Sequence, residues 1–317
     1  MRRLLPPEAP FFIVVNASSG SKDGQGALET IDQELTAAGR RFEFFVAARG
    51  AEIAVMAQRA AERAERDAGA VVAVGGDGTI NAATRATLPT GRPLGIVPHG
   101  TFNYTTRAHG IPGETRDAAR ALVDARIAHV QVGVVNERPF LVNAGVGLHP
   151  EILEDREAYK ARLGRYRAVA FGAGLSTLLR EHRQLLLEIE HDRERELVRT
   201  PSLFVGNNAL QFEQTGLEQA ENDVEHRRLA AVLVKPVSTW TLLTLGLRGA
   251  LGRLGEDERV RTFGFRRMIV NPFGSARRKL VKLATDGEVT NVRPPLVFSI
   301  SPARLPLLVP ARPVPAP

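Results

Sequence analysis

The chain has 317 residues, of which 44% are hydrophobic and 24% are charged, and its formal net charge is +7. This composition is typical of folded globular proteins, and the length predicts about two domains, each large enough for its own core. The absence of cysteine excludes disulfides, zinc fingers, iron–sulfur clusters and thiol nucleophiles. The positive charge favours an anionic partner such as a nucleic acid, a membrane surface or a phosphorylated ligand.

The N-terminal segment does not resemble a secretion signal. Residues 1–10 carry two arginines followed by a proline-rich run, where a signal peptide has an apolar stretch. The longest apolar runs, such as Ala168–Leu179, are too short and too interrupted to cross a bilayer. We therefore expect a soluble or peripheral protein, and the lack of cysteine fits a reducing compartment.

The first third of the chain alternates predicted strands with predicted helices. This alternation predicts a mostly parallel sheet that is covered by helices. The β-type runs are Phe11–Val15, Arg41–Ala47, Ala70–Val74 and Leu94–Val97, and the helical patterns are Glu52–Asp67, a segment from about Ile80, and Asp117–Ala125.

Beyond about residue 131 the pattern changes to β-type runs with few helices between them. We therefore predict a first domain over residues 1–131 and a mainly antiparallel second domain over residues 132–317, with the option that the last residues return to the first domain. Asn136-Glu137-Arg138 suits a hairpin turn between two of the runs. The runs are His129–Val135, Pro139–Val142, Gln184–Glu190, Ser202–Val205, Leu229–Val234, Met268–Val270 and Lys279–Ala284, and helical patterns interrupt them at about Pro150–Arg183 and Thr239–Leu254.

The segment VVAVGGDGTIN, Val71–Asn81, carries the strongest chemical signal. A predicted buried strand ends in Gly-Gly-Asp-Gly-Thr just before a helix, which is where ligands bind in open α/β sheets. Glycines let backbone N–H groups approach phosphates, the helix N-terminus favours anions, and Asp77 supplies a carboxylate for a metal or a proton. The alternative is a plain glycine-rich turn in which Asp77 or Thr79 caps the helix.

Three further loops add to this motif. Asn16–Gly20 and Gly100–Asn103 each follow a strand, so that three loops gather along one sheet edge, and Thr285-Asp286-Gly287-Glu288 gives a second acidic turn. Phosphate-binding backbone donors, Mg²⁺ ligands and a base are the components of phosphoryl transfer. The sequence contains neither G-x-x-x-x-G-K-[ST] nor G-x-S-x-G, which argues against a P-loop NTPase and a serine hydrolase.

The order of the motifs resembles that of a known family. The chain from Phe11 to about Pro310 carries, in family order, VVNASSG, VVAVGGDGTINAAT, LGIVPHGTFNYTTRAHGIP, LVNAGVGLHPEI, REAYKARLGRYRAVA, LFVGNN, LATDGEV and SISPARLPLLVP. It resembles the diacylglycerol kinase catalytic-domain family of soluble bacterial lipid kinases, which is related to sphingosine kinases and more remotely to NAD kinases. The resemblance implies an NAD-kinase-like α/β N-terminal domain, a β-sandwich-like C-terminal domain, an active site between them, and ATP with Mg²⁺ as phosphoryl donor and metal.

The resemblance also implies roles for individual residues. Asp286 is the expected base for the proton of the lipid hydroxyl, and Asp77 orients phosphates or the metal, although these two residues could exchange roles. Glu288 assists at the nucleotide and metal site, so that Asp77 and Glu288 are the expected metal ligands. The residues expected to hold the nucleotide are Asn16, Ser19, Gly20, Gly75, Gly76, Gly78, Thr79, Thr101 and Asn103.

The sequence departs from the family pattern in several places. Ala17 stands where relatives usually have proline, and Tyr104 begins a segment where many relatives have Asp-Phe-Ala, so that one acidic contact is missing. Asn207–Glu218 lacks a glycine-rich run, and Asp223–Leu229 reads DVEHRRL in place of Asp-x-Gly-x-Leu. These changes leave open whether an accessory structural metal site exists there.

The expected function is ATP-dependent phosphorylation of a lipid hydroxyl, with the conversion of diacylglycerol to phosphatidic acid as the first candidate. The alternatives are NAD kinase-like phosphorylation of a soluble substrate and a non-catalytic lipid- or nucleotide-binding protein. The implied partners are the lipid, transient contact with an anionic membrane surface and, as an option, a second copy in a homodimer. A nucleic acid is not expected, because no binding module accompanies the charge. The implied location is the cytoplasm, peripheral at the inner membrane face.

Two segments and two histidines carry weaker signals. Tyr159–Arg167 places cations among aromatic and small residues, as a solvated helix face or as a contact for phosphates. Trp240–Leu251 spaces its tryptophan and leucines at helical intervals, and we expect it to be buried against the second domain, with docking at an interface as the alternative. Because the histidines lack metal-ligand spacing, we expect His99 and His149 to line loops.

Overall fold

The computed structural model of the chain describes residues 4–17, 23–99, 103–154, 184–274 and 279–311. The chain divides into two compact units. Unit 1 combines Met1–Val132 with the stretch that begins at Pro302, and unit 2 is Gly133–Ser301. The C-terminal stretch therefore lies in the same unit as the N-terminal third of the chain.

The secondary structure of the described residues is numbered along the chain. The strands are β1 (Phe11–Asn16), β2 (Phe42–Ala47), β3 (Ala70–Gly75), β4 (Leu94–Pro98), β5 (Arg126–Val130), β6 (Gly133–Val135), β7 (Arg138–Phe140), β8 (Asn143–Gly147), β9 (Leu185–His191), β10 (Glu194–Thr200), β11 (Ser202–Gly206), β12 (Leu229–Val234), β13 (Val260–Phe265), β14 (Arg267–Pro272), β15 (Val281–Thr285), β16 (Glu288–Val292), β17 (Leu296–Ile300) and β18 (Leu305–Val309). The helices are α1 (Asp23–Ala37), α2 (Ile53–Arg66), α3 (Asp77–Thr87), α4 (Tyr104–Ala108), α5 (Thr115–Val123), α6 (Ala209–Glu213), α7 (Glu218–Glu225) and α8 (Thr239–Ala250). None of these described helices combines the length and the apolar character that crossing a membrane requires.

Unit 1 is built on one sheet whose described strands follow the order β2-β1-β3-β4-β18-β5. All neighbours pair in parallel except β5, which runs antiparallel to β18. β1, β3, β4 and β18 are buried along almost their whole length. Strands of a sheet that helices cover on both faces read as continuous apolar runs, and these four sequences do so.

The helices of unit 1 pack in pairs, α1 beside α5 and α2 beside α3. Helix α2 buries Ile53 and four alanines along one side, while its charged residues face outwards. Such an apolar stripe at helical spacing is what orients an amphipathic helix on a sheet. The apolar core of this unit includes Phe11 and Ile13 of β1, Ile31 of α1, and Leu122 of α5.

Unit 2 consists of two antiparallel sheets, with described strands in the orders β10-β9-β14-β17-β6-β7 and β13-β12-β11-β8-β15-β16. One apolar core contains side chains of both sheets, including Phe140 and Phe298 from the first and Leu203 and Phe265 from the second. Two sheets that share a core in this way form a β-sandwich. The predicted fold class, an α/β domain with a mostly parallel sheet and a mainly antiparallel domain, is confirmed.

One predicted strand is wrong. The run His129–Val135 is not continuous, because β5 ends at Val130 and pairs with β18, whereas β6 begins at Gly133 and pairs with β17. Apolar residues continue through the break, so that periodicity alone does not reveal it. The hairpin predicted around Asn136 is confirmed, and both Asn136 and Glu137 have positive φ angles, 44° and 68°, as a tight two-residue turn requires.

The expectation that Trp240–Leu251 is buried is also wrong. Helix α8 buries Leu242 and Leu245, but Trp240 is 75% exposed, Leu247 58% and Leu251 65%. The helix stops earlier than predicted, with Gly252 at φ 70° just after it. The helical interpretation of Pro150–Arg183 lies outside the described residues from residue 155 onwards, and so does the basic segment Tyr159–Arg167.

Candidate active site

Three strands of unit 1 end side by side at the carboxyl edge of the sheet. The register pairs Val15 with Val74 and Gly75 with Pro98, so that Asn16, Gly75 and Pro98 lie at nearly the same level. The N–H of His99 donates to the carbonyl oxygen of Gly75 at 2.9 Å, and this bond joins the loop after β4 to the turn after β3. The structure therefore brings Asn16 and the Gly75–Thr79 turn together, as the sequence predicts.

The turn after β3 has room only for glycine at its first position. A Cβ atom on Gly75 would lie 2.5 Å from Oγ1 and 2.8 Å from Cβ of Thr79. Thr79 is itself 2% exposed and belongs to the first turn of α3, so it has little freedom to move aside. The close packing of Gly75 on Thr79 sets the path by which the chain passes from β3 into α3.

Helix α3 begins directly at the sheet edge. Gly76 is its N-cap and has extended backbone, and Asp77 is its first residue. The first N–H groups of a helix have no partners within the helix and carry partial positive charge, so they favour an anion at this end. Asp77 and Gly78 are half-buried, which leaves the turn accessible to a ligand.

Two asparagines near this edge have buried polar atoms. Oδ1 of Asn103, which precedes α4 and has φ 47°, accepts no hydrogen bond in the structure as described. Asn81 in α3 is 2% exposed, and neither polar atom of its side chain has a partner there. Buried polar atoms are ordinarily paired, which makes both side chains candidates for contact with water or a ligand. Sequence reasoning missed Asn81, although a polar residue on the buried face of α3 was a usable signal.

Asp286 in unit 2 lies at a tight turn between β15 and β16. Asp286 and Gly287 both have positive φ angles, 44° and 88°. Oδ2 of Asp286 accepts a hydrogen bond from the N–H of Leu141 at 2.6 Å, and Oδ1 accepts from the N–H groups of Val142 and Asn143, both at 2.9 Å. The carboxylate is only 9% exposed, and these three amides fix its orientation.

A polar network continues from this turn into the second sheet of the sandwich. Nε2 of His149 and Oδ1 of Asn143 lie 3.0 Å apart, and Nδ2 of Asn143 donates to Gln211 at 3.2 Å. Asn207 donates from Nδ2 to the carbonyl oxygen of Leu141 at 3.1 Å. Sequence reasoning missed Asn143, Gln211 and Asn207 as residues near Asp286, because their partners are distant in the chain.

The two histidines near the motifs take part in hydrogen bonds. His149 has the network contact described above, and burial lowers its pKa to about 4, so that it is neutral near pH 7. Nε2 of His99 lies 3.2 Å from Oγ1 of Thr115. Across the described parts of the chain, no three His, Asp or Glu side chains lie close enough together to hold a metal ion.

The region that departs from the family pattern is held together by an arginine. Arg228 contacts Asp192 at 3.1 Å and Asp223 at 3.6 Å, and it donates to the carbonyl oxygen of Gly264. Burial raises the pKa of Asp223, and the Arg228 charge acts in the opposite direction. The altered sequence leaves undecided whether an accessory metal site exists in this region. The structure places the guanidinium group of Arg228 beside the acidic side chains there.

Not all predicted site residues fall within the described residues. Ser19, Gly20 and Thr101 lie outside them. Glu288 is half-buried and pairs with Thr285 across the hairpin that contains Asp286.

Comparison with known proteins agrees with the motifs. Residues 10–135 match the family model of the diacylglycerol kinase catalytic domain. The resemblance to this family is confirmed. A diacylglycerol kinase of Bacillus subtilis is 35% identical over 42% of the chain and 44% of its own length, and one of Staphylococcus haemolyticus is 28% identical over 57% of the chain and 54% of its own length. The chain thus spans about half the length of these diacylglycerol kinases.

The fold is similar to that of a solved bacterial structure. A Bacillus anthracis protein, described as a candidate diacylglycerol kinase, superposes with a TM-score of 0.73 over 96% of this chain and 98% of its own. The two sequences are 20% identical, so this likeness concerns the fold. It extends over both units, whereas the match to the diacylglycerol kinase catalytic domain covers most of the N-terminal part of unit 1 and the first residues of unit 2.

Proposed function

We propose that the protein is an ATP-dependent kinase that phosphorylates a lipid hydroxyl, with diacylglycerol as the first substrate. The observation that carries this proposal is the Gly75–Thr79 turn, which places backbone donors and the half-buried Asp77 at the carboxyl edge of a parallel sheet. The family match of the segment that contains this turn supports the same activity.

In this proposal the turn holds the phosphates of ATP. The first N–H groups of α3 and the glycines beside them donate to phosphate oxygens, because backbone without side chains can approach phosphates closely. Asn16, Ser19, Gly20, Thr101 and Asn103 complete the nucleotide contacts. The buried Oδ1 of Asn103 is an acceptor suited to a ribose hydroxyl or an amino group.

The donor set fits a magnesium ion that is shared with the nucleotide. Mg²⁺ is usually held by one or two carboxylates together with substrate phosphates and water, so a cluster of protein ligands is not required. Asp77 and Glu288 are the proposed ligands. When bound, the ion neutralises charge that develops on the phosphoryl group during transfer.

We propose Asp286 as the residue that accepts the hydroxyl proton, with Asp77 as the alternative. The three amides that orient its carboxylate keep it in one position, which general-base catalysis requires. Phosphoryl transfer passes through a loose transition state, so a strong base is not needed. The hydroxyl oxygen forms the new bond to the γ-phosphorus, ADP leaves, and the proton goes to the carboxylate.

The experiment is a transfer assay with labelled ATP, Mg²⁺ and a panel of diacylglycerol, other lipids with free hydroxyls, and NAD. We expect label in phosphatidic acid, and we expect Asp77→Asn to lower the rate about 10²- to 10⁴-fold. Asp67→Asn, which changes an exposed carboxylate of the same unit, is the matched control and should leave the rate unchanged.

Three results would count against the proposal. Labelled NADP without labelled lipid would make the protein an NAD kinase-like enzyme, and tight ATP binding without transfer to any acceptor would make it a non-catalytic binding protein. Full activity of Asp77→Asn and Asp286→Asn would reject the assigned residues. The thermal stability of Asp286→Asn must be measured in parallel, since its amide would face backbone N–H groups.

A further inference from the structure

Helix α8 has apolar side chains on two opposite faces. With about 100° per residue, Trp240, Leu247 and the C-cap residue Leu251 fall within about 20° of one line along the helix axis, and Leu242 and Leu245 lie on the other side. The inner pair is 5% exposed at each residue, whereas the outer three are more than half exposed. Packing inside unit 2 therefore accounts for the inner face alone.

The exposed apolar residues belong to a helix with a capped N-terminus. Oγ of Ser238 accepts a hydrogen bond from the N–H of Thr241 at 3.3 Å and caps the helix. Exposed apolar residues scattered singly are ordinary, but an aligned group of one tryptophan and two leucines marks an interaction surface. We call Trp240, Leu247 and Leu251 the outer face of α8.

Basic residues flank the outer face on both sides in the sequence. From Lys235 to Arg253 the sequence contains three cations and no acidic residue. Arg248 is paired with the buried Asp257 at 3.0 Å, and Arg253 lies 3.9 Å from the exposed Glu256. Lys235, before the helix, and Arg253, after it, are both exposed. An apolar helix face flanked by cations is complementary to an anionic bilayer, where leucines and tryptophan enter the boundary region and cations contact headgroups.

We propose that the outer face of α8 docks on the surface of an anionic lipid bilayer. The choice of a bilayer as the partner rests on the proposed lipid kinase activity. The choice of α8 as the docking element rests on the alignment of its exposed apolar side chains and on the cations that flank it. Trp240 and the two leucines insert at the level of the headgroups, and Lys235 and Arg253 contact lipid phosphates. The helix lies in the plane of the surface and does not cross the membrane.

The sequence supplies its own probe, because Trp240 is the only tryptophan of the chain. We expect its fluorescence emission to move to shorter wavelength when the full chain is mixed with vesicles of phosphatidylglycerol and phosphatidylcholine. Pure phosphatidylcholine vesicles should give a smaller shift. Acrylamide should quench Trp240 less in the presence of the anionic vesicles, since the indole is then removed from water.

A double substitution tests the leucines while the probe is kept. Leu247→Ser/Leu251→Ser should weaken vesicle binding at least about tenfold, because two buried leucine contacts are lost. Leu197→Ser is the matched control, since Leu197 in β10 is 52% exposed in the same unit but lies outside α8. It should bind vesicles within about twofold of the unchanged protein. Circular dichroism should be the same for all three proteins.

Two outcomes would overturn the docking proposal. One is an unchanged Trp240 emission at saturating anionic lipid, or equal binding by the double variant and the unchanged protein. The other is an emission shift that depends on protein concentration without lipid, together with a dimer that the double variant fails to form, because the occupant is then a second copy of the chain.

The docking proposal and the kinase proposal fail in different ways. The double variant should phosphorylate a short-chain, water-soluble diacylglycerol at the unchanged rate and lose activity only on vesicles. If neither protein phosphorylates any lipid but Trp240 still responds to anionic vesicles, the kinase proposal has failed and the docking proposal stands.

Discussion

At the scale of single residues, the candidate site depends on a glycine that has no side chain and on an aspartate whose side chain is held in one orientation. Gly75 leaves the space that Thr79 occupies, and the Asp286 carboxylate is held by three amides. The backbone at Gly75 is fixed by its packing on Thr79 across the turn, and the carboxylate of Asp286 is fixed by the backbone N–H groups of Leu141–Asn143. The chemistry of these residues therefore depends on packing, and substitutions that change packing test it.

Gly75→Ala should impair both stability and phosphate binding. The added methyl group would lie 2.5 Å from Oγ1 of Thr79, and relieving such overlap costs about 1–3 kcal/mol in the free energy of unfolding. Urea denaturation and the rate of ATP-dependent transfer measure the two effects. Gly26→Ala is the control, since a Cβ there meets nothing within 4 Å and should stabilise α1 by up to about 1 kcal/mol. Equal stability of the two variants would contradict the packing argument.

His149 should make the protein less stable in mild acid. Its pKa is about 4 in the folded protein and about 6.5 in the unfolded chain, so its contribution is fully present above about pH 6.5 and is lost as the pH falls towards 4. Between pH 7.5 and pH 5.0 this amounts to about 2 kcal/mol, which urea denaturation at the two pH values measures.

The matched variants are His149→Gln, which removes the titrating group, and His226→Gln, which changes an exposed histidine of the same unit. The first should reduce the loss of stability between the two pH values, and the second should leave it as it is. If His149→Gln shows the same loss as the unchanged protein, another group causes it.

At the scale of secondary structure elements, β18 is the strand whose position matters most. It follows β17 by only four residues, yet β17 belongs to a sheet of unit 2 and β18 lies between β4 and β5 in the sheet of unit 1. Leu305, Leu307, Leu308 and Val309 are buried there. The sheet of unit 1 is therefore continuous only when this distant strand is in place.

Hydrogen exchange should separate β17 from β18. In low concentrations of denaturant, amides of β18 should exchange together with those of β1, β3 and β4, and amides of β17 with those of β14 and β6, because strands of one sheet open together. Mass spectrometry of peptides from residues 296–300 and 305–309 gives the measurement. The same exchange behaviour in both peptides would contradict the assignment of β18 to unit 1.

The sequence predicted elements well where a local pattern decides them. β12 begins and ends at the predicted residues Leu229 and Val234, and the hairpin at Asn136 follows from its turn residues. The break between β5 and β6 was missed, since it is set by which sheet each strand joins. The outer face of α8 was misjudged for a related reason, because apolar spacing shows that a face exists and not what covers it.

The candidate site was predictable to a similar extent. The Gly75–Thr79 turn could be read from the motif, since glycines before a helix have a local meaning. The contacts of Asp286 with Leu141–Asn143 could not, because they join segments more than 140 residues apart. Asn81 could have been found as a polar residue on the buried face of a helix, whereas Gln211 carries no local signal beyond its polarity.

At the scale of the whole molecule, the two large apolar cores of the described residues lie in different units, and unit 2 has a smaller cluster around Phe212 as well. The core with Ile13 draws on residues from unit 1, and the core with Ile189 draws on residues from unit 2. Each isoleucine is fully buried and lies on the second strand from the edge of its sheet. A change in one core should therefore be felt first in its own unit.

Ile13→Ala and Ile189→Ala form a matched pair for this test. Each should lower the free energy of unfolding of its unit by about 2–5 kcal/mol. Hydrogen exchange should become faster in β1, β3 and β18 for Ile13→Ala, and in β9 and β14 for Ile189→Ala. Faster exchange throughout the protein in both variants would show that the two cores unfold as one.

The position of β18 also bears on the order of events during synthesis. Protein chains are made at about 5–20 residues per second, so about ten to forty seconds separate the emergence of β4 from that of β18. During that interval β4 has an open edge, which is a site for pairing with other chains. Unit 2 is complete before β18 emerges, and unit 1 is the first to begin and the last to finish. A nascent chain of this protein thus cannot complete the sheet of unit 1 until β18, near the end of its second half, has been made.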